Sequence, residues 1–441
     1  MNAATAGAGP SEVRAQIALA IPLAAQQLGF QLMGTVDAAL LGHYSDTALA
    51  AAGVGNNLLF AVIAVGLGIV MGLDTVIPQA IGAGRLDDAR RAMGAGLRLA
   101  ILVGLAAMAA VMLSPLVLLA TDVEPEVARE ARIYVHLRAV GVVPFLMSIA
   151  LRSYLAARST TRPLVIAVIG ANIVNALLDV VLIFGVSSIG LPPLGVVGAA
   201  IATVLVQLVV LAVYFAAVRS LDGGAPRPPS TRADLREIVR YGGPVGGQLF
   251  LEIGIFGVAT VLAAHLGTRS AGAHSIALNL SSFTFSLALG IGAATSVRVG
   301  HAIGAGDVAL ARRRGVIGLT LGLAGMAGFA ASFVIAPAML ASIFTDDDAI
   351  VIATVPLLQI AALFQLSDGA QAIAAGALRG LGDTRATFVG NLIGHYAIGL
   401  PIALGLAFGA GMGAPGLWWG LSAGLTVTAL YLSARFLRAT R

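Results

Sequence analysis

Five carboxylates sit inside stretches otherwise apolar enough to cross a bilayer: Asp37, Asp74, Asp179, Glu252 and Asp368. A charge at the centre of a membrane helix costs about 3 kcal/mol on insertion scales. That cost falls when the group binds a proton or a cation, or faces water, so such acids are candidates for moving ions. Glu252 lies in QLFLEIGIFGVATVLAAHL, Gln248 to Leu266. Helical rise puts it about 16–18 Å from Arg240 at the inner end of its stretch, and Asp368 about 16 Å from Arg379. These two acids reach similar depths and could share one site.

A second polar group sits nearer the opposite face. Asp37 is about 8–9 Å and Asp179 about 12 Å from the outer ends of their stretches, with Thr203 at a similar depth. Asn175 precedes Asp179 by one helical turn on the same face, and Asn172 lies one step further along it. Carboxylate, amide and hydroxyl oxygens suit Na⁺; a proton needs only a carboxylate held out of water. Both ions stay open, with Na⁺ placed either at Glu252 and Asp368 or at Asp37, Asn175, Asp179 and Thr203. No other cofactor is expected.

Plainer roles compete. A lone acid can pair with an arginine and lock a bundle, and Asn172, Asn175 and Thr203 can simply bond between helices. Asp74, near the inner end of its stretch, reads as structural. His301 and His395 read as hydrogen-bonded structural residues, and Trp418 and Trp419 as an aromatic belt at the membrane surface.

The elements that position these groups are membrane helices. Only 11% of the 441 residues are charged, against about 25% in soluble proteins, and mean hydropathy is +0.95. The net charge of +5 contains no lysine, since all 26 basic residues are arginine. They fall in alternate loops, which argues against nucleic acid as a partner. There is no cysteine, and no GxxxxGK[ST] loop for a nucleotide. The opening MNAATAGAGPSEVRAQ lacks a basic n-region and no cleavage site follows, so no cleaved signal peptide is expected.

The fold class expected is an all-α polytopic membrane protein of twelve spans. They run over 15–42, 48–78, 92–120, 128–156, 163–187, 195–218, 238–264, 270–298, 312–343, 350–378, 386–409 and 413–436. One set of loops holds Arg85, Arg90, Arg91, Arg158, Arg162, Arg227, Arg232, Arg236, Arg240, Arg312, Arg313, Arg314, Arg379 and Arg385, with Arg435, Arg438 and Arg441 in the tail. The other set carries Asp122, Glu124, Glu126, Asp346, Asp347 and Asp348. The positive-inside rule makes the first set, and both termini, cytoplasmic.

The chain repeats. Gln79–Gly84 (QAIGAG) returns as His301–Gly306 (HAIGAG) at an offset of 222 residues, as do Pro22 at Pro244, Gln26 at Gln248, Asn57 at Asn279 and Arg90-Arg91 at Arg312-Arg313. The glycines at the end of each AIGAG copy suit a helix terminus. With six spans per half, the halves are parallel repeats about an axis along the membrane normal. The expected domains are a six-helix lobe over 1–219, a Gly- and Pro-rich cytoplasmic linker over 220–236 and a second lobe over 237–441.

Three segments carry a resemblance: PLAAQQLGFQLMGTVDAALLGHYSDTALAAAGVG, GAHSIALNLSSFTFSLALGIGAATSVRVGHAIGAGD and QLSDGAQAIAAGALRGLGDTR. The chain resembles the multidrug and toxic compound extrusion (MATE) family, most closely its NorM-type branch, from Pro22 to the last span. The resemblance implies two six-helix bundles forming a V-shaped cleft, a monomer as working unit, and alternating-access export of organic cations and amphipathic drugs against H⁺ or Na⁺. It places Glu252 and Asp368 on the second-lobe coupling acids and Asp37 on the first-lobe acid, with Asn175, Asp179 and Thr203 beside it. Asn172, Gln248, Asn279 and Tyr396 become supporting or cleft residues. His395-Tyr396 stands where the family leads one to expect paired tyrosines.

The location expected is a bacterial inner membrane. A lipid or lipid-linked sugar flippase of the same superfamily is the rival, favoured by a basic cavity at mid-depth. A membrane-embedded enzyme is disfavoured, because neither a thiol nor an HExxH motif is present and the acids lack metal-site spacing.

Overall fold

Apolar runs too long for strands, punctuated by Gly and Pro, leave the chain little choice but helix. The computed structural model describes residues 10–120, 123–225 and 228–441, and these are helical nearly throughout. Asp122 and Arg227 of the charge pattern lie outside the described residues. In chain order the helices are α1 (Pro10–Tyr44), α2 (Asp46–Val70), α3 (Leu73–Gly82), α4 (Leu86–Leu113), α5 (Pro125–Ala139), α6 (Val142–Ala157), α7 (Arg162–Phe184), α8 (Val196–Leu221), α9 (Arg232–His265), α10 (Thr268–Gly304), α11 (Val308–Ile335), α12 (Pro337–Ser342), α13 (Asp348–Leu381), α14 (Thr384–Asn391), α15 (Leu400–Leu404) and α16 (Ala414–Ala439).

Among the described residues, eleven helical stretches are long and apolar enough to span a membrane, and a bent pair makes a twelfth. That pair is α5 and α6, inclined at 47°. It corrects the single helix expected over 128–156. The span Thr384–Gly409 is also irregular, because Leu392–Gly399 and Gly405–Gly409 are π-helical. Here Gly394 and Gly399 lie against α16, so close that a Cβ at Gly394 would meet Gly424 O at 2.6 Å.

The helices divide into two compact units. One holds Leu28–Ile77 and Arg85–Gly246; the other holds the chain up to Gln27, Pro78–Gly84 and Gly247–Arg441. These units are not contiguous, unlike the lobes drawn from the sequence. Small residues explain which segments belong where, since without a Cβ two backbones can touch. In the first unit, a Cβ at Gly246 would lie 2.6 Å from Val65 O and one at Gly242 2.0 Å from Ile69 O. In the second, a Cβ at Gly290 would lie 2.3 Å from the Ala24 backbone.

The two copies of the repeated motif also pack on each other within the second unit. A Cβ at Gly82 would meet His301 O at 2.1 Å, and one at Gly304 would meet Gln79 O at 2.0 Å. The last glycine of each copy, Gly84 and Gly306, ends its helix in the left-handed region, at φ +74° and +78°. Gly304→Val should therefore cost about 1–3 kcal/mol of stability through overpacking. A lowered melting temperature in detergent would check this, and an unchanged one would contradict the packing.

Two aromatic and imidazole expectations need correction. Trp418 is fully buried, its ring centroid 5.4 Å from Phe364 and 5.9 Å from His274, whereas Trp419 is exposed. Neighbouring helical residues point about 100° apart, so only one of the two can face out. His395 is buried beside Phe256, 6.5 Å between centroids, and neither ring nitrogen has a hydrogen-bond partner. Asp74 is tied down locally, accepting from Ser153 Oγ at 2.6 Å with Arg152 at 3.6 Å.

Candidate functional site

In the first unit, α7 carries two faces. Ile166, Ile169, Ile173, Leu177 and Val180 are exposed, while Leu164, Val168, Ala171, Asn175, Asp179 and Ile183 are buried. The apolar exposed stripe suits lipid, which turns Asn175 and Asp179 inward. There Asn175 Nδ2 donates to Asp37 Oδ1 of α1 at 2.6 Å and to Asp179 Oδ2. Thr203 Oγ1 of α8 donates to Asp37 Oδ2 at 3.3 Å and to Ala199 O at 2.9 Å. The two carboxyls thus share one donor, the Asn175 amide, which bridges them. All four groups are buried.

This cluster is short of donors. Asn175 Oδ1 and Asp179 Oδ1 are buried acceptors with no hydrogen-bond partner among the described residues. Two carboxylates this close repel unless a proton or a cation lies between them. Buried acceptors left unsatisfied carry a further cost that either ion would relieve.

The second unit has a matching arrangement. Gln371 Nε2 of α13 donates to Glu252 Oε1 of α9 at 2.7 Å and to Asn391 Oδ1 at 3.3 Å. Asp368, one turn before Gln371, is buried and interacts electrostatically with Glu252. Arg379 also acts on Glu252 from a distance. Gln248 is buried one turn before Glu252, and its Oε1, like that of Gln371, has no donor. Tyr396 comes from the first π-helical stretch and its hydroxyl donates to Leu251 O at 2.9 Å, next to Glu252.

The structure thus gathers Asp37, Asn175, Asp179 and Thr203 in one place, and Glu252, Asp368, Gln248 and Tyr396 in another. It leaves two predicted residues apart. Asn172 donates to Gly29 O at 3.0 Å and Val168 O at 2.8 Å, fastening α7 to α1. Asn279 bonds only within its own helix, to Ser275 O at 2.9 Å, on an exposed face. Gln371 and Asn391 were not anticipated; the one-turn spacing from Asp368 to Gln371 was the available signal.

Among the described residues no three His, Cys, Asp or Glu side chains converge as a multivalent metal centre would require. A monovalent ion would draw on the amide and hydroxyl oxygens as well. Gln371→Leu removes the one donor held by both Glu252 and Asn391. It is expected to change transport severalfold with the protein still folded. Wild-type rates in the same vesicles would contradict that role.

Comparison with known proteins agrees with this architecture. The MatE family profile matches residues 22–181 and again 244–404, so the two matches begin at Pro22 and Pro244, the positions paired by the internal repeat. A probable multidrug resistance protein NorM of Bradyrhizobium diazoefficiens is 37% identical over 428 residues, covering 95% of this chain and 91% of the relative. The multidrug resistance protein NorM of Burkholderia vietnamiensis is 36% identical over 449 residues, covering 98% and 96%. Among solved structures, the eukaryotic MATE transporter AtDTX14 superposes with a TM-score of 0.89 at 22% identity, covering 98% of each chain. A fold of two acid-bearing units, a family profile matched in both halves and relatives alike over nearly their full length have one explanation: the chain belongs to the MatE family of membrane transporters.

Proposed function

We propose that the protein is an ion-coupled multidrug exporter of a bacterial inner membrane, acting as a monomer with both termini in the cytoplasm. Its substrates are organic cations and amphipathic drugs, exchanged for H⁺ or Na⁺. The observation that supports this best is the pair of buried acid clusters, each with acceptor oxygens lacking donors. Such groups hold a cation or a proton in preference to nothing.

The mechanism is one of exclusion. With the acids ionised, each unit attracts a cationic drug. With a proton or Na⁺ bound, that attraction is gone and the drug is released. Ion and drug need not share atoms; each need only favour a different conformation. Asn175, Thr203 and Gln371 hold the carboxyls in place, so little ordering remains to be done when the ion arrives. Nothing in the cycle calls for a nucleophile, so the protein reads as a transporter and not an enzyme.

Expression in a bacterial strain stripped of its own drug pumps tests the reading. Tolerance to cationic dyes and fluoroquinolone-like amphiphiles should rise several fold. Unchanged tolerance, with the chain present in the membrane, would overturn it.

A further inference from the structure

One buried charge in the first unit has no place in the mechanism so far. Arg138, near the end of α5, is 8% exposed. Arg152 in the same unit has Asp74 within 4 Å, but Arg138 has no carboxylate that close among the described residues. Its Nη1 donates instead to Tyr134 Oη at 2.7 Å, and its guanidinium lies 5.4 Å from the centre of that ring. Tyr134 Oη in turn donates to Asn56 Oδ1 at 3.3 Å.

Tyr134 brings this cation to the acid cluster. It packs in one apolar core with Leu41, Ile183 and Ala199. Those three residues stand one helical turn from Asp37, Asp179 and Thr203 respectively. Asp179 lies within electrostatic reach of Arg138, and Asp37 within reach of Tyr134. The unpaired acids and the unpaired arginine therefore belong to one buried system. A buried charge without compensation is strongly unfavourable, and here each side supplies what the other lacks.

Among the described residues neither Arg138, at Nε, nor Gln207, at Oε1, has a hydrogen-bond partner for that atom. The two residues help line a cavity of about 30 Å³ with Leu59, Phe60 and Phe145, room for a water or two. The cavity lies at the α5–α6 bend, where a Cβ on Gly141 would come 2.2 Å from Gln207 Oε1.

We propose that Arg138 is a positioning residue, the fixed counter-charge of the Asp37–Asp179 pair, which sets the net charge of that site at minus one. A single monovalent cation then completes it; without Arg138 the same two carboxylates would need two. This rests on reading the cluster as a cation site, and it assigns that site its ion count. Glu130, an acid on the same helix, lies two turns before Arg138, about 12 Å along the axis, and serves as the control.

The test is charge rescue in a double-mutant cycle on the full-length protein. Arg138→Gln is expected to lower the melting temperature in detergent and to cut ion-driven ethidium efflux from proteoliposomes by about tenfold. Arg138→Lys should retain most of both. In an Asp179→Asn background the loss of melting temperature caused by Arg138→Gln should shrink by at least half, because the net charge is restored; in a Glu130→Gln background it should not. Equal losses in all three backgrounds would overturn the proposal, as would an Arg138→Gln protein that melts and transports like wild type. If wild type itself shows no ion-driven efflux, the exporter reading fails, while the melting cycle still decides the charge pairing.

Discussion

Asp368→Asn and Glu252→Gln are each expected to reduce ion-driven efflux by roughly a hundredfold, near the upper end of the coupling free energies known between two ligand sites. The two carboxyls share the second unit, and Gln371 is the donor that reaches Glu252, at 2.7 Å. An amide in place of either acid resembles the ion-loaded form permanently, so the site stops cycling. Folding should survive. Asp368 makes no ion pair among the described residues, so its replacement by a neutral isostere breaks no salt bridge. Undiminished transport, with the variants at normal abundance in the membrane, would sink the exclusion mechanism.

Trp418→Ala should cost about 3–5 kcal/mol of stability, the range for deleting a fully buried large aromatic. Its indole is sealed among Phe364, His274, Leu357 and Leu421. Trp419→Ala, one residue on but exposed, should stay within about 0.5 kcal/mol. Thermal melting of the purified proteins separates the two; equal losses would mean that Trp418 is not core.

Much of the first acid cluster could be read before any coordinates. Asn175 and Asp179 lie one turn apart on an unbroken helix, and helical rise puts Thr203 at a depth similar to Asp179, with Asp37 a few ångströms nearer the outer face. The repeat of Gln79–Gly84 at His301–Gly306 was equally visible, although only the structure shows the copies packing on each other through Gly82 and Gly304. What was hidden has physical reasons. Gly141 looks like any small residue in an apolar run, so the 47° bend beside it left no mark. The π-helical turns around Tyr396 widen the backbone without a change in composition. Gln371 and Asn391 are neutral amides, and their sequence does not show that they meet beside Glu252. Arg138 carries no mark in the sequence that separates it from the loop arginines, although a buried cation at mid-span is as informative as a buried carboxylate.

The most direct measurement is ethidium transport by the purified protein in proteoliposomes, with a pH gradient and a Na⁺ gradient imposed one at a time. The account predicts dye movement against its own gradient under at least one of them, and none when both are absent. Transport that ignores both gradients, or no transport under either with the protein intact, would contradict it.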